Sequence, residues 1–166
     1  MIVKFDKLID SVSELENFDR TNPYNVVALF VNIIANYNIK DDSIFISELQ
    51  YLMGEFQPIS ALMRQNIKDR MMQNNKYEYI GKSYFKGASP SNDYTPNIPY
   101  EVEINENKYS HFEDGYIKLF VTSGGADSPR GITLRLAKDN NYYIWSDSFM
   151  GLLADIRGLE SKNPWA

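Results

Sequence analysis

The sequence predicts an α+β protein, with N-terminal helices packed on one face of an antiparallel β-sheet of about five strands. Three observations carry this reading. Through residues 1–75, apolar side chains recur at the three- and four-residue spacing of helices that bury one stripe. From residue 80 to 166 the period drops to two, in short runs rich in aromatic and β-branched residues. Neither half covers its own apolar face, so residues 1–166 are read as a single domain in which each covers the other.

The helical elements follow in order. Residues 4–15 form a modest amphipathic segment, with Phe5, Leu8, Ile9 and Val12 at helical spacing. Asn22 is suited to cap a second helix and Pro23 to open it. Val26, Leu29, Phe30, Ile33, Ile34 and Tyr37 give that helix one buried stripe, and Asn36 and Asn38 mark its end. Asp41, Asp42 and Ser43 offer the next cap. Phe45, Leu49, Leu52, Met53 and Phe56 line one face of the helix that follows, which ends near Gly54. Pro58 breaks the chain and Ser60 caps a further helix. Its inward residues Ile59, Met63, Ile67 and Met71 recur every four positions, while Arg64, Lys68 and Arg70 face water.

The strand candidates are 82–85, 100–104, 116–121, 132–136 and 142–145. Alternation in Glu101-Val102-Glu103-Ile104 and in Ile132-Thr133-Leu134-Arg135-Leu136 predicts one buried and one wetted face. Asp139-Asn140-Asn141 suits a hairpin turn, because Asn and Asp tolerate positive φ, so the simplest topology is a meander. The proline-rich stretch 87–99 reads as an extended loop pinned by Tyr94, Ile98 and Tyr100. Residues 151–156 read as a short closing helix with Leu152, Leu153 and Ile156 turned inward.

Composition narrows the function classes. The chain has a net charge of −5, no cysteine and one histidine. Without cysteine there is no disulfide framework and no thiolate metal site. An acidic chain with scattered cations is poorly suited to nucleic acid or to an anionic membrane, and better suited to a basic protein partner. The N-terminal residues lack a basic segment followed by an apolar core, so no signal peptide is read and a cytoplasmic setting is expected.

The most specified stretch is Ser123-Gly124-Gly125-Ala126-Asp127-Ser128-Pro129-Arg130, between two strand candidates. It reads either as a cradle of backbone N–H groups for an anion or as a tight turn whose glycines supply positive φ. In the turn reading, Asp127 and Arg130 form a local ion pair or pin the turn to the backbone. Arg130, Arg135 and Arg157, with Asp127 and Asp155, either grip an anion or brace the last strands to the C-terminal tail. His111, with Glu113 and Asp114 nearby, is either part of a metal site or a turn residue; the turn is preferred. Trp145 is placed in the core or at its rim, and Tyr142, Tyr143 and Trp145 put rings on both faces of one strand. The outer rings then form an aromatic patch able to meet a partner. Trp165 is expected to pack back over the sheet.

A resemblance rests on Gly81-Lys82-Ser83-Tyr84-Phe85-Lys86-Gly87-Ala88-Ser89-Pro90, then Asn92-Asp93-Tyr94-Thr95-Pro96 and Pro99-Tyr100. It continues through the stretch from Ser123 to Arg130, Leu134-Arg135, Trp145, Asp155-Ile156-Arg157 and Pro164-Trp165-Ala166. Across roughly residues 40–166 the chain resembles an uncharacterised bacterial domain family of unknown function. Gly131 stands where that pattern has Pro, and Gly158-Leu159 where it has an Arg-Lys-Pro-like or Ile-Pro-like step. The resemblance implies a class and no chemistry.

The expected function is therefore a non-catalytic protein-binding or accessory module that needs no cofactor and no metal. Asp127, Arg130, Arg135, Arg157, Trp145 and His111 are its candidate binding residues. Two alternatives stand beside it: an anion or small-molecule binder or hydrolase built on the Arg/Asp cluster, and a structural assembly subunit.

Overall fold

The computed structural model describes residues 1–165; Ala166, which closes the Pro-Trp-Ala motif, lies outside the described residues. The chain runs β1 (Ile2–Phe5), α1 (Val12–Leu15), α2 (Pro23–Ala35), α3 (Ser43–Met53), α4 (Ala61–Met72), β2 (Tyr100–Asn105), β3 (Tyr116–Val121), β4 (Arg130–Leu136) and β5 (Tyr142–Ile144). Short 3-10 turns lie between α4 and β2 and again after β5. The strands form one sheet in the order β1-β2-β3-β4-β5, every neighbouring pair antiparallel. The protein is α+β, and its sheet is the meander that the alternation predicts.

Register follows from which residues must be dry. Leu119 faces Ile132, Ile117 faces Leu134, and Leu134 faces Ile144 across neighbouring strands. All of these are buried, as are Val102, Ile104 and Val121. A slip of one residue would send the whole set to water. Helix α2 lies against β1, β2, β3 and β5. Its cap is the expected one: Asn22 accepts from the Tyr24 amide at 3.0 Å, with Pro23 in the first turn. The burial goes beyond a stripe, because every residue from Val26 to Ile34 is buried, Asn32 included. A helix buried all round belongs at the centre of a fold, and α2 is where sheet and helices meet.

Asn32 explains the first departure from the sequence reading. Residues 4–15 are not one helix: Ile2–Phe5 is an edge strand on β2, and only Val12–Leu15 is helical. Between them, Asn32 accepts from the Ile9 amide at 2.7 Å and donates to the Lys7 carbonyl at 3.2 Å. Asn36 donates to the Ile9 carbonyl at 3.1 Å. These two side chains satisfy backbone groups that a helix would otherwise pair, so the segment stays irregular without a buried polar deficit.

The second departure is at residues 82–85. Lys82–Tyr84 is a 3-10 turn, and Phe85 makes one isolated bridge to Val102. Gly81 sets this up: a Cβ there would lie 2.3 Å from the Ala35 backbone nitrogen, so only glycine lets the turn sit on the end of α2. The fifth strand is therefore β1, not 82–85. The closing helix is displaced as well: the 3-10 turn spans Ser148–Leu153, and Ile156 is buried outside it.

Other anchors sort by packing. In the loop 87–99, Tyr94 is fully buried and stacks on Tyr79 at 5.3 Å. Ile98 is exposed and anchors nothing. Trp165 does not fold back over the sheet; it is 91% exposed, and its amide closes a local turn on Asn163 at 2.9 Å. The turn at 139–141 forms as expected, with Asn140 at φ 66° and Asp139 accepting from the Asn141 amide at 2.9 Å.

Candidate functional site

The Ser123–Arg130 stretch becomes a knot of internal contacts. The Gly124 amide donates to the Ser83 carbonyl at 2.8 Å, and the Gly125 amide donates to Ser123 Oγ at 3.1 Å. The Gly125 carbonyl accepts from the Arg157 amide at 3.0 Å. The donors that would cradle an anion are thus already engaged. The glycines are not there for positive φ, which among the described glycines belongs to Gly54, Gly87 and Gly115. They are there for close approach: a Cβ on Gly124 would lie 2.0 Å from the Ala88 carbonyl oxygen, and one on Gly125 2.3 Å from Tyr94 Oη.

The arginines divide. Arg157 Nη1 lies 2.7 Å from Asp127 Oδ1, and its own carbonyl accepts from the Tyr94 hydroxyl. Arg130 Nη2 donates to the Asp155 carbonyl at 2.5 Å. Asp127 therefore pairs with Arg157 rather than with Arg130, and both guanidinium groups tie the knot to the tail at 155–157. Buried Lys76 joins the same seam, donating to the Leu153 carbonyl at 3.3 Å beside Asp155. Burial pushes the Lys76 ammonium below its ordinary value, and the Asp155 carboxylate opposes that shift. His111 stands apart, exposed, with Nε2 3.0 Å from Glu106 Oε2 and not on Glu113 or Asp114. Among the described residues no group of His, Asp and Glu is arranged to hold a metal ion.

Arg135 is not in that cluster at all. It sits on the wetted face of the sheet, in register with Tyr116 on β3 and Tyr143 on β5. Its guanidinium carbon lies 4.6 Å from the Trp145 ring centre and 5.1 Å from that of Tyr116. Tyr116 and Trp145 meet edge-on at 5.6 Å, and Phe112 extends the row at 5.8 Å from Tyr116. Cation–π attraction of this kind contributes about 0.5–1 kcal/mol at exposed sites. It places the cation but leaves its N–H donors free. Arg135 has no carboxylate or hydrogen-bonding partner among the described residues.

Beside this row lies a recess of about 480 Å³ lined by Phe56, Gln57, Arg135, Leu136, Ala137, Lys138, Asp139, Tyr143 and Trp145. Phe56 is the residue sequence reasoning misplaced. It was expected on the buried face of α3; instead it follows the helix and is 64% exposed, edge-on to Tyr143 at 5.0 Å. Gly54 makes this possible, with φ of 85° and a would-be Cβ only 2.7 Å from the Phe56 ring. Two glutamines fix the loop. Gln57 Nε2 donates to the Met53 and Ile144 carbonyls at 2.6 and 2.9 Å, and its Oε1 accepts from the Ser146 amide at 2.8 Å. Gln50 donates to the Gly54 and Gln57 carbonyls at 2.9 and 3.0 Å and accepts from the Ile59 amide at 2.9 Å. An exposed ring held this way loses little freedom on binding.

The charges of the recess are unequal in their engagement. The Tyr143 hydroxyl, 2.6 Å from Asp139 Oδ2, and the Asn141 amide hold the Asp139 carboxyl below the usual range. Burial, and then that same bond, push the Tyr143 hydroxyl up. Lys138, like Arg135, has no ion-pair partner among the described residues. Arg20 supports the floor from behind, 4.2 Å from the Tyr51 ring centre and 5.0 Å from that of Tyr143. Of this surface, Arg135 and Trp145 were predicted; Phe56, Tyr116 and Arg20 were not. The Asp139-Asn140-Asn141 turn reports only the pairing of Arg135 with Tyr143; Tyr116 enters through the β3–β4 register, and Phe56 and Arg20 through tertiary contacts with Tyr143.

Fold and surface together describe an α+β meander with a fixed aromatic face. The chain belongs to the family described as Domain of unknown function (DUF6935), whose model matches residues 4–160. That match reaches nearer the N-terminus than the motifs quoted above and takes in the end of β1 and all of α1 and α2. No curated protein and no solved structure matches the chain. Among the described residues no helix is long and apolar enough to cross a membrane.

Proposed function

We propose that the protein is a non-catalytic binding module whose partner is another protein, seated against the recess between Phe56 and Trp145. The observation that carries this is Arg135: an exposed guanidinium held by two rings, with no acid engaged among the described residues. Trp, Tyr and Arg beside a fixed apolar floor are the residue types that dominate protein interfaces. The reading sets this binding in the cytoplasm of a bacterium, supported by a chain without cysteine and by the bacterial resemblance of its motifs.

Site-specific photocrosslinking tests it. The photoreactive residue p-benzoylphenylalanine is placed at position 56, and at position 98 as an exposed control. Illumination of the cells that make the protein is expected to give a discrete protein adduct from position 56 only. Arg135→Glu removes the adduct. Equal labelling from both positions, or none from 56, sinks the proposal. An adduct with the mass of two copies turns it into self-assembly.

A further inference from the structure

We infer that the segment seated in this recess is acidic, with its carboxylates set beside an apolar side chain; this rests on the binding reading above. The inference comes from which charges remain unanswered. Arg135 and Lys138 line the recess without a carboxylate partner among the described residues. The one acid in the lining, Asp139, already accepts from the Tyr143 hydroxyl at 2.6 Å and from the Asn141 amide at 2.9 Å. It is turned into the turn and the floor and leaves both cations to an incoming group. The rest of the lining is mostly apolar: Phe56, Leu136, Ala137, Tyr143 and Trp145. Charge complementarity therefore asks for anions at the Arg135 side and an aliphatic or aromatic group over Phe56.

The local sign differs from that of the whole molecule. A net charge of −5 suggests a basic partner, and the recess suggests the reverse. Screening decides between them: at physiological salt the Debye length is about 8 Å, so a short segment senses the cations it touches more than distant acids. The same argument disfavours nucleic acid. A polyanion would run past two cations onto an acidic surface, whereas an acidic peptide places its charges only where the cations are. The guanidinium suits a carboxylate in geometry too, because its in-plane N–H groups form a fork that matches the two oxygens. Its ring contacts use none of those donors.

The test is selection from a displayed library of random peptides against the full chain, run in parallel on Arg135→Gln and Phe56→Ala. Far-ultraviolet circular dichroism confirms that each variant is folded. The wild type is expected to enrich peptides with Asp or Glu next to a Leu, Phe or Trp. Enriched peptides bind Arg135→Gln about tenfold or more weakly, as expected for loss of a charge-assisted hydrogen bond. On Arg135→Gln the selection itself loses its acidic bias and keeps its apolar one. Enrichment that depends on Phe56 but carries no acidic bias, or a basic one, overturns this inference and leaves the binding module standing. Selection that never depends on Phe56 overturns both. An acidic bias that persists on Arg135→Gln and disappears on Lys138→Gln overturns the role given to Arg135.

Discussion

Arg157 and Arg135 bring the same group to two surfaces and meet opposite surroundings. Arg157 sits on a carboxylate, in a loop whose amides and carbonyls are taken up by Ser83, Ser123 and its own backbone. Arg135 sits on two rings with its donors unanswered among the described residues. The more conspicuous motif in the sequence is thus the closed structure, and Arg135, within β4, carries the open one. Residue types that look like chemistry are ambiguous until their hydrogen bonds are counted. A satisfied guanidinium is architecture; an unsatisfied one held rigidly at the surface is available to something else.

The comparison breaks most readily at Gly124. Replacing it by Ala places a Cβ 2.0 Å from the Ala88 carbonyl oxygen, which is backbone and cannot rotate away. Overpacking of this kind costs about 1–3 kcal/mol, and a backbone clash belongs at the upper end or beyond. Urea unfolding of Gly124→Ala is expected to show a loss of about 3 kcal/mol. A loss below about 0.5 kcal/mol would mean that the knot is not closed, and the contrast with Arg135 would dissolve.

Glu48 sharpens the same distinction from inside the core. Its carboxylate is buried on α3, and Oε2 has no hydrogen-bond partner among the described residues. Burial, then the charges of Asp10 and Glu14, raise it from 4.5 to about 7. The folded state therefore holds this proton more tightly than the unfolded chain. Its contribution is full below about pH 4.5 and is lost as pH climbs to about 7, an effect of about 3 kcal/mol across that interval. Glu48→Gln is expected to flatten the fall in stability between pH 5 and pH 7, read from thermal melts at each pH. A variant that keeps the full slope would assign the pH dependence elsewhere. An unanswered polar group in the interior thus carries a cost that an unanswered one at the surface does not.

How much of this was legible follows the reach of each interaction. The helices α2, α3 and α4 and the strands β2 to β5 were readable, because caps, turns and apolar period are local signals. The strand β1 was hidden because its partner, Tyr100–Asn105, is about a hundred residues away, and because Asn32 and Asn36 satisfy the chain just after it. Phe56 looked like the next turn of α3, and only the reversal at Gly54 moves it onto Tyr143. The glycines at 124 and 125 were correctly singled out for the wrong reason. Close approach to Ala88 and Tyr94 is a tertiary fact that no spacing of nearby residues reports.

Within the knot the ion pair itself is a small contributor. Arg157 and Asp127 have side chains 54% and 96% exposed, so water competes with their attraction. Exposed pairs typically contribute about 0.2–1 kcal/mol. A double-mutant cycle of Arg157→Gln and Asp127→Asn is expected to give a coupling of about 0.5 kcal/mol that declines as salt is raised. A coupling above about 2 kcal/mol would show the pair to be far better shielded than its exposure allows, and would make it a pillar of the knot.

The smallest expected effect is on the other surface and is the most discriminating. Among the described residues Arg135→Gln removes a cation that lies only on rings, with no carboxylate and no carbonyl left behind unpaired. Its loss from the folded state is limited to exposed ring contacts that the Gln side chain keeps in part, below about 0.5 kcal/mol. Surface changes of this kind usually stay within about 0.5 kcal/mol. Thermal melts of Arg135→Gln and wild type are therefore expected to superimpose closely, while binding of partner or selected peptide falls. A residue that holds the fold would lose both together. Should Arg135→Gln destabilise the chain as much as Gly124→Ala does, the guanidinium would be a brace like Arg157, and the open surface would lose the feature that distinguishes it.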